Sequence, residues 1–413
     1  MIIRKKYLFY VLALSSAVAN AFASGVDAVV SSLFIHDPWA FGVACFLVGV
    51  IIALIFSIIL SIRFKDKSLG SKAIDPSFNH LRFIRREEIK YQLLSAFGNA
   101  ILTIGYYILL SILADPSVVI PFTQMVILYL VLMESITEKD MPTLVEVQSA
   151  LIVTFGAILG SISFSGDINL LSLAIVFLVI NPGWMISSIY QRKLKLLKIN
   201  GKPNDSLNIR FWNVLFAFLI TSGIVLIYDI SSGANHLLNG IIYAFRFFNW
   251  ISIMGIGTFF SLVLYIRALG IGKASVTQAV KSTAIIFSIP VSIILAYLNI
   301  IPSFSTDPTM VAIRGIGIIL MILGIASYAL TLVKAYIFIE MKPGYPILDI
   351  MRKLWDIRGV TRVAAVAGKY DFIIKIRTRT LVKGYEKIIR KLNEIEGIKK
   401  YKWESVLREW EKL

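Results

Sequence analysis

Residues 41–61 read FGVACFLVGVIIALIFSIILS, and no charged side chain interrupts them. Wound as an α-helix at about 1.5 Å per residue, the stretch rises about 30 Å, the thickness of a bilayer's hydrocarbon core. A helix on the surface of a water-soluble protein keeps a polar face, and this one has none. The class that follows is a polytopic helical membrane protein. Working outward, ten apolar segments are expected to span, at about 7–33, 39–62, 91–113, 117–136, 145–164, 169–190, 209–229, 248–269, 274–298 and 311–333. Composition agrees, since 57% of the 413 residues are hydrophobic and only 16% are charged.

The first segment has two readings. Arg4, Lys5 and Lys6, an apolar run and then Ala21-Phe22-Ala23 have the layout of a secretory signal with a small-residue cleavage site. The apolar character runs on past Gly25 to Phe34, which suits a retained helix, the expectation adopted here. Orientation follows from the basic residues. Arg63, Lys65, Lys67, Lys72, Arg82, Arg85, Arg86 and Lys90 crowd the second connection, and Arg192, Lys193, Lys195, Lys198, Lys202 and Arg210 fill the sixth. The alternate connections carry almost none, with Arg246 the exception in the long seventh one. By the positive-inside rule both termini are cytoplasmic in a multi-pass cell-membrane protein. The net charge of +17 then marks a membrane face, and no nucleic-acid partner is expected.

The halves resemble each other at an offset of 158 residues: Tyr107-Ile108 leads to Ser117-Val118, and Tyr265-Ile266 leads to Ser275-Val276. With five helices per half, an odd number, the second copy must be inverted in the membrane, an arrangement that transporters use with a site near the midplane. The run from Tyr107 through Pro116, Pro121 and Glu134 to Gly156 resembles the EamA repeat of the drug/metabolite transporter superfamily. The resemblance covers roughly residues 7–333 and implies ten helices in two inverted five-helix repeats. It is weaker in the second copy, where Ala279 stands opposite Pro121 and Ser292 opposite Glu134.

Polar groups at bilayer depth are costly and default to functional candidates. Lys281 and Gln278 fall on one helical face, where the lysine either holds a cargo anion or reaches the headgroups. Asn99, Tyr106, Tyr107 and Gln124 are further candidates to line a path. Trp184 follows Asn181-Pro182, where a broken helix frees backbone carbonyls. Asp27 is a candidate proton-coupling carboxylate or an outer-headgroup residue. Glu134, at a helix C-terminus, needs a cation partner, with a gate salt bridge expected. Gly156, Gly160, Gly317 and Gly324 suit close helix packing. The one cysteine, Cys45, and three scattered histidines, His36, His80 and His236, make no metal site. No nucleophile, acid–base set or phosphate-cradling loop appears, so neither an enzyme nor a cofactor is expected.

After Lys334 the pattern changes. Residues 335–341 read as a strand, 345–357 as a helix, 360–366 and 372–376 as strands, 380–394 as a helix, and 397–406 as a final strand. The order βαββαβ is a ferredoxin-like α+β sandwich. The stretch Ala335-Tyr336-Ile337-Phe338-Ile339, the Arg358-Gly359-Val360 turn, Gly368-Lys369-Tyr370-Asp371-Phe372 and Glu396-Gly397-Ile398 resemble the ligand-binding domain of Lrp/AsnC-type regulators. The resemblance implies pairing through sheets and a small effector such as an amino acid, with Gly368, Tyr370 and Asp371 as effector-loop candidates. A tight turn held by Asp371 is the structural alternative. The domains expected are therefore residues 1–334 and 335–413.

The functional expectation is a secondary transporter of a small metabolite, an amino acid or related carboxylate favoured, working by alternating access and regulated by the C-terminal domain, in a homodimer or higher oligomer. The alternatives are a non-transporting membrane sensor and a carrier of phosphorylated or lipid-linked anions.

Overall fold

The computed structural model describes residues 5–113, 123–138, 144–160, 170–199, 201–300, 308–330, 333–357, 359–378 and 388–405. Two compact units result, one of Met1–Lys139 with Val147–Tyr328, the other of Asp140–Glu146 with Ala329–Leu413.

The larger unit is helical. Its elements are α1 (Lys5–Leu33), α2 (Pro38–Ser61), the short α3 (Leu69–Ala73), α4 (Arg86–Leu113), α5 (Val126–Glu138), α6 (Leu144–Gly160), α7 (Leu170–Ile175) and α8 (Asn181–Leu196). Then come α9 (Ser206–Ser232), α10 (His236–Arg246), α11 (Phe248–Leu269), α12 (Ala274–Lys281), α13 (Ala284–Tyr297) and α14 (Pro308–Leu330). Among the described residues six helices are long and apolar enough to cross a membrane: Leu8–Leu33, Pro38–Ser61, Arg86–Ile112, Ser206–Ser232, Phe248–Leu269 and, counted across its break, Ala274–Tyr297. Ile227 and Ile230 stay about three-quarters exposed on one of them, as apolar surface facing lipid does. The other expected segments are helical over most of their described length, apart from a turn at Gln124-Met125 and Val333, which opens a strand; residues 117–122, 161–164, 169 and 331–332 lie outside the described residues.

Three details depart from the sequence reading, and a fourth, the interruption just before Pro182, falls where it expected a broken helix. The seventh helix starts at Ser206, not 209, because Asp205 caps it by accepting from Asn208 N at 2.7 Å. Arg210 is thereby a buried helix residue and not a loop charge. The seventh connection holds a helix of its own, α10, entered through Asp229, whose carboxylate accepts from Leu237 N at 2.8 Å. The sixth segment is interrupted by a π-turn at Val176–Ile180, in which Asn181 N donates to Val176 O. Pro182 explains it: its ring collides with the carbonyl four residues back and it offers no N–H, and one wide turn absorbs both. The ninth segment breaks at Ser282-Thr283 into α12 and α13.

Close approaches fix the packing. A Cβ on Gly98 would sit 2.5 Å from Gly183 O, and one on Gly183 would sit 2.8 Å from Gly98 O, so α4 and α8 touch through backbone. Gly324 of α14 likewise faces Ser149 O of α6 at 3.0 Å. The main apolar core gathers around α2, where Phe41, Val48 and Ile52 join Tyr107 of α4, Val214 of α9 and Met254 of α11.

The smaller unit is α+β. Strands β1 (Arg63–Phe64) with β2 (Lys67–Ser68) and β3 (Lys198–Ile199) with β4 (Lys202–Pro203) form hairpins in the larger unit. The smaller unit's sheet has β5 (Val333–Met341), β6 (Val360–Ala365), β7 (Phe372–Thr378) and β8 (Ile398–Ser405), in the antiparallel order β6-β7-β5-β8. Ile337 pairs with Ile374 on one side and Trp403 on the other. With period two, Ala335, Ile337 and Ile339 present one face, which is covered by Ile350 and Leu354 of α15 (Ile347–Trp355) and by Ile388 and Leu392. Residues 388–393 are helical; 379–387 and Arg358 lie outside the described residues.

Candidate functional site

A cavity of about 150 Å³ lies within the larger unit. On a scale where one water needs about 10–15 Å³, it holds a molecule of roughly ten heavy atoms. It is walled by the two devices that disturb helix regularity: the π-turn helix contributes Trp184 and Ser188, and the broken ninth segment contributes Lys281. Asp27, Asn99, Tyr107, Trp184 and Lys281, all singled out from sequence, line this one space.

Asp27 projects from α1 and is 7% exposed. Tyr107 Oη donates to its Oδ1 at 3.2 Å, and Tyr106 Oη to its Oδ2 at 3.5 Å. Phe41 packs on Tyr107 with ring centroids 4.2 Å apart, which fixes the phenol. Adjacent tyrosines on a helix diverge by about 100°, so both reach one carboxylate only because it sits between them.

Lys281 is the last residue of α12, where the negative end of the helix dipole favours a cation. Its side chain is 1% exposed and its Nζ has no hydrogen-bond partner among the described residues. The ammonium instead lies 4.8 Å from the Trp184 ring centroid and 4.7 Å from that of Tyr265. Such cation–π contacts are worth about 2 kcal/mol when desolvated. Tyr265 is held by its hydroxyl, which donates to Ser188 Oγ at 2.9 Å. The headgroup reading of Lys281 is therefore corrected: the side chain turns inward.

Arg210, which the sequence reading placed in a loop, also lines the cavity. It is 4% exposed, and its Nε and Nη1 lack hydrogen-bond partners among the described residues. The signal that locates it is the Asp205-x-x-Asn208 cap, which starts the helix at Ser206, four residues before Arg210. Asn99 faces Asn213, donating to its Oδ1 at 3.0 Å, and Asn213 donates to Ser95 Oγ at 2.8 Å.

Gln124 and Gln278 do not line the cavity. Gln278 Nε2 donates to Gln124 Oε1 at 2.8 Å, a buried bridge between helices. Glu134 stands apart again: it accepts from Ala274 N at 2.6 Å and from Ser275 Oγ, with Arg192 Nη1 at 3.6 Å. The carboxylate thus caps the N-terminus of α12 from another helix and has a cation partner.

The two basic connections are joined by a buried network. Lys195 Nζ donates to Asp75 Oδ2 at 2.6 Å, and Ser206 N and Oγ donate to the same oxygen at 2.8 Å. Burial works to raise the Asp75 carboxyl, but the Lys195 charge and these donors outweigh it and hold it below the ordinary value. Arg82 grips Glu88 at 2.7 and 2.8 Å and donates to Asn204 Oδ1 at 2.9 Å. On the remaining connections, Asp37 caps α2 and meets His236 Nδ1 at 2.5 Å.

In the smaller unit, Asp371 Oδ2 accepts from Met341 N at 2.6 Å, and Asp371 N donates to Ile339 O at 2.9 Å. Tyr370 packs on Phe338 with centroids 5.3 Å apart. Gly368 is exposed beside them. Among the described residues no group of His, Cys, Asp and Glu is arranged to hold a metal.

Residues 334–412 match the Lrp/AsnC ligand binding domain. No curated protein matches the chain. A solved structure described only as "Crystal structure of protein" is similar over 77% of this chain and 98% of its own, at 12% identity and a TM-score of 0.49.

Proposed function

We propose that the helical unit transports a small metabolite, an amino acid or related carboxylate, by alternating access, and that the Lrp/AsnC ligand-binding domain senses a small effector and regulates it. The observation that carries this reading is the cavity itself, in which a buried carboxylate, Asp27, and two buried cations, Lys281 and Arg210, face one enclosed space. Ionisable groups at that depth are rarely structural, and interrupted helices at the site are how transporters expose backbone to cargo.

The finer architecture proposed is the ten-helix EamA type, with two inverted repeats and both termini cytoplasmic. Helix pairing supports it: α1 packs on α11, and α4 packs on α8, which is the same contact with the copies exchanged. Asp27 is the coupling carboxylate in this scheme, Glu134 belongs to the cytoplasmic gate, and Gly368, Tyr370 and Asp371 border the effector. Pairing of the C-terminal domains makes the working unit a dimer or larger.

Counterflow of labelled amino acids into proteoliposomes of the full chain is the test. Uptake that responds to a separate effector supports the reading. Stoichiometric binding with no counterflow replaces it with a membrane sensor.

A further inference from the structure

Lys281 and Arg210 form an unanswered charge. Among the described residues lining the cavity there are two cations and a single carboxylate, Asp27, which already accepts from Tyr106 and Tyr107. Both cations line this same cavity. Each is buried, and among the described residues neither has a hydrogen-bond acceptor for the atoms named above. A buried ion normally pairs, and aromatic faces offset only part of the desolvation, for Lys281 alone. The missing component is an anion.

We infer that Lys281 and Arg210 are the two jaws of an anion subsite, and that the cargo is a small organic acid carrying one more negative charge than positive. The inference rests on the reading of this cavity as a cargo site, and deepens it by naming the class. A zwitterion brings no net charge and leaves the excess cation uncompensated. An acidic amino acid or a simple carboxylic acid compensates it, and its carboxylate supplies the acceptors that the guanidinium Nε and Nη1 lack. The Arg210 fork fixes the orientation of a planar carboxylate, and Lys281 contributes a point charge. The apolar parts of the cargo meet Trp184 and Leu262. Phosphate shares the oxyanion chemistry, and the experiment separates it.

The test is binding of isotope-labelled L-glutamate and L-alanine to the full-length protein in mild detergent, with unlabelled L-lactate, L-lysine and inorganic phosphate as competitors. Glutamate should bind about tenfold or more tighter than alanine, and lactate should displace it while lysine does not. Arg210→Gln and Lys281→Gln should each weaken glutamate by about tenfold or more, while Lys281→Arg retains most of the affinity and Arg210→Lys, which keeps the charge but not the fork, falls between. Those charge-keeping variants, with thermal melts, separate a lost site from a lost fold. Equal affinity for glutamate and alanine, or an unchanged affinity in folded Arg210→Gln, overturns the inference. So does binding of phosphate alone, or of no acidic probe. Glutamate binding without counterflow sinks the transporter reading and leaves the anion subsite standing; counterflow of alanine without acid binding does the reverse.

Discussion

Ser282 Oγ donates to Gln124 Oε1 at 2.9 Å, and the two residues stand 158 positions apart. That is the spacing at which Tyr107-Ile108 recurs as Tyr265-Ile266. The backbone repeats there too. Ile127 N and Leu128 N reach back to Gln124 O and Met125 O, while Ile285 N and Ile286 N reach back to Ser282 O and Thr283 O. Two helices thus tighten in the same way at corresponding positions, and meet at the place where they do so. Two copies related by a two-fold axis would bring residues near that axis onto their own counterparts.

Gln124→Ala should therefore cost more than a surface change. It strips an acceptor from both Gln278 and Ser282 inside the unit, a loss of about 1–3 kcal/mol read as a lower melting temperature in detergent. A double-mutant cycle with Ser282→Ala should show coupling; strictly additive effects would remove the bridge from the argument.

Gly98→Ala should destabilise the helical unit by about 1–3 kcal/mol, because the new methyl group meets a carbonyl oxygen and not a side chain that can turn away. Gly223→Ala, where nothing lies within 4 Å, is the control and should stay within about 0.5 kcal/mol. Equal melts for the two variants would show that α4 and α8 are not held at backbone contact.

Breaking the Lys195–Asp75 pair by Lys195→Met should cost about 3–5 kcal/mol, and Asp75→Asn alongside it should recover part of that. The Asp75 carboxyl is held below its ordinary value. Its stabilisation is then complete above the unfolded value and is lost as pH falls through the lowered folded one. Asp205 acts oppositely, since burial raises its carboxyl and protonation relieves that cost. The melting temperature of the wild type should consequently fall more steeply below about pH 4 than that of Asp75→Asn; parallel curves would contradict the assignment.

Asp27→Asn preserves shape and removes the charge. In proteoliposomes it should abolish uptake driven by a proton gradient while cargo exchange at zero gradient persists, the signature of a coupling carboxylate. Tyr107→Phe removes one of the two donors to the same group and should shift the pH dependence of uptake in proportion. Gradient-driven uptake in Asp27→Asn would exclude the coupling role.

Asp371→Ala frees Met341 N at the end of β5, so the loop that carries Gly368 and Tyr370 loses its side-chain tether while keeping the backbone bond to Ile339 O. Effector binding should weaken about tenfold or more, read by titrating amino acids into the full-length protein. Mass measurement in mild detergent should find a dimer or larger. A monomer at all concentrations would contradict pairing through the C-terminal domain.

Much of this molecule is determined locally, and that part is readable from the chain. An uncharged stretch such as residues 41–61 has to be a helix in lipid, because no other open segment satisfies its own backbone there. The alternation of Ala335, Ile337 and Ile339 requires a strand with one covered face, and the turn at Gly368–Asp371 carries its own hydrogen-bonding chemistry. Asp27, Tyr107, Trp184 and Lys281 stood out because a polar group in an apolar run is costly wherever it ends up. Which of them share a space was a different matter. Arg210 looked like one more loop cation until the Asp205 cap moved it into a helix, and Gln124 and Gln278 looked like path residues until they bonded each other. Those outcomes depend on rotation and depth of helices distant in the chain, set by contacts such as Gly98 against Gly183. Sequence determines which groups need a partner; only the packed helices decide which partner each one finds, and which, like Lys281 and Arg210, are left facing the cavity.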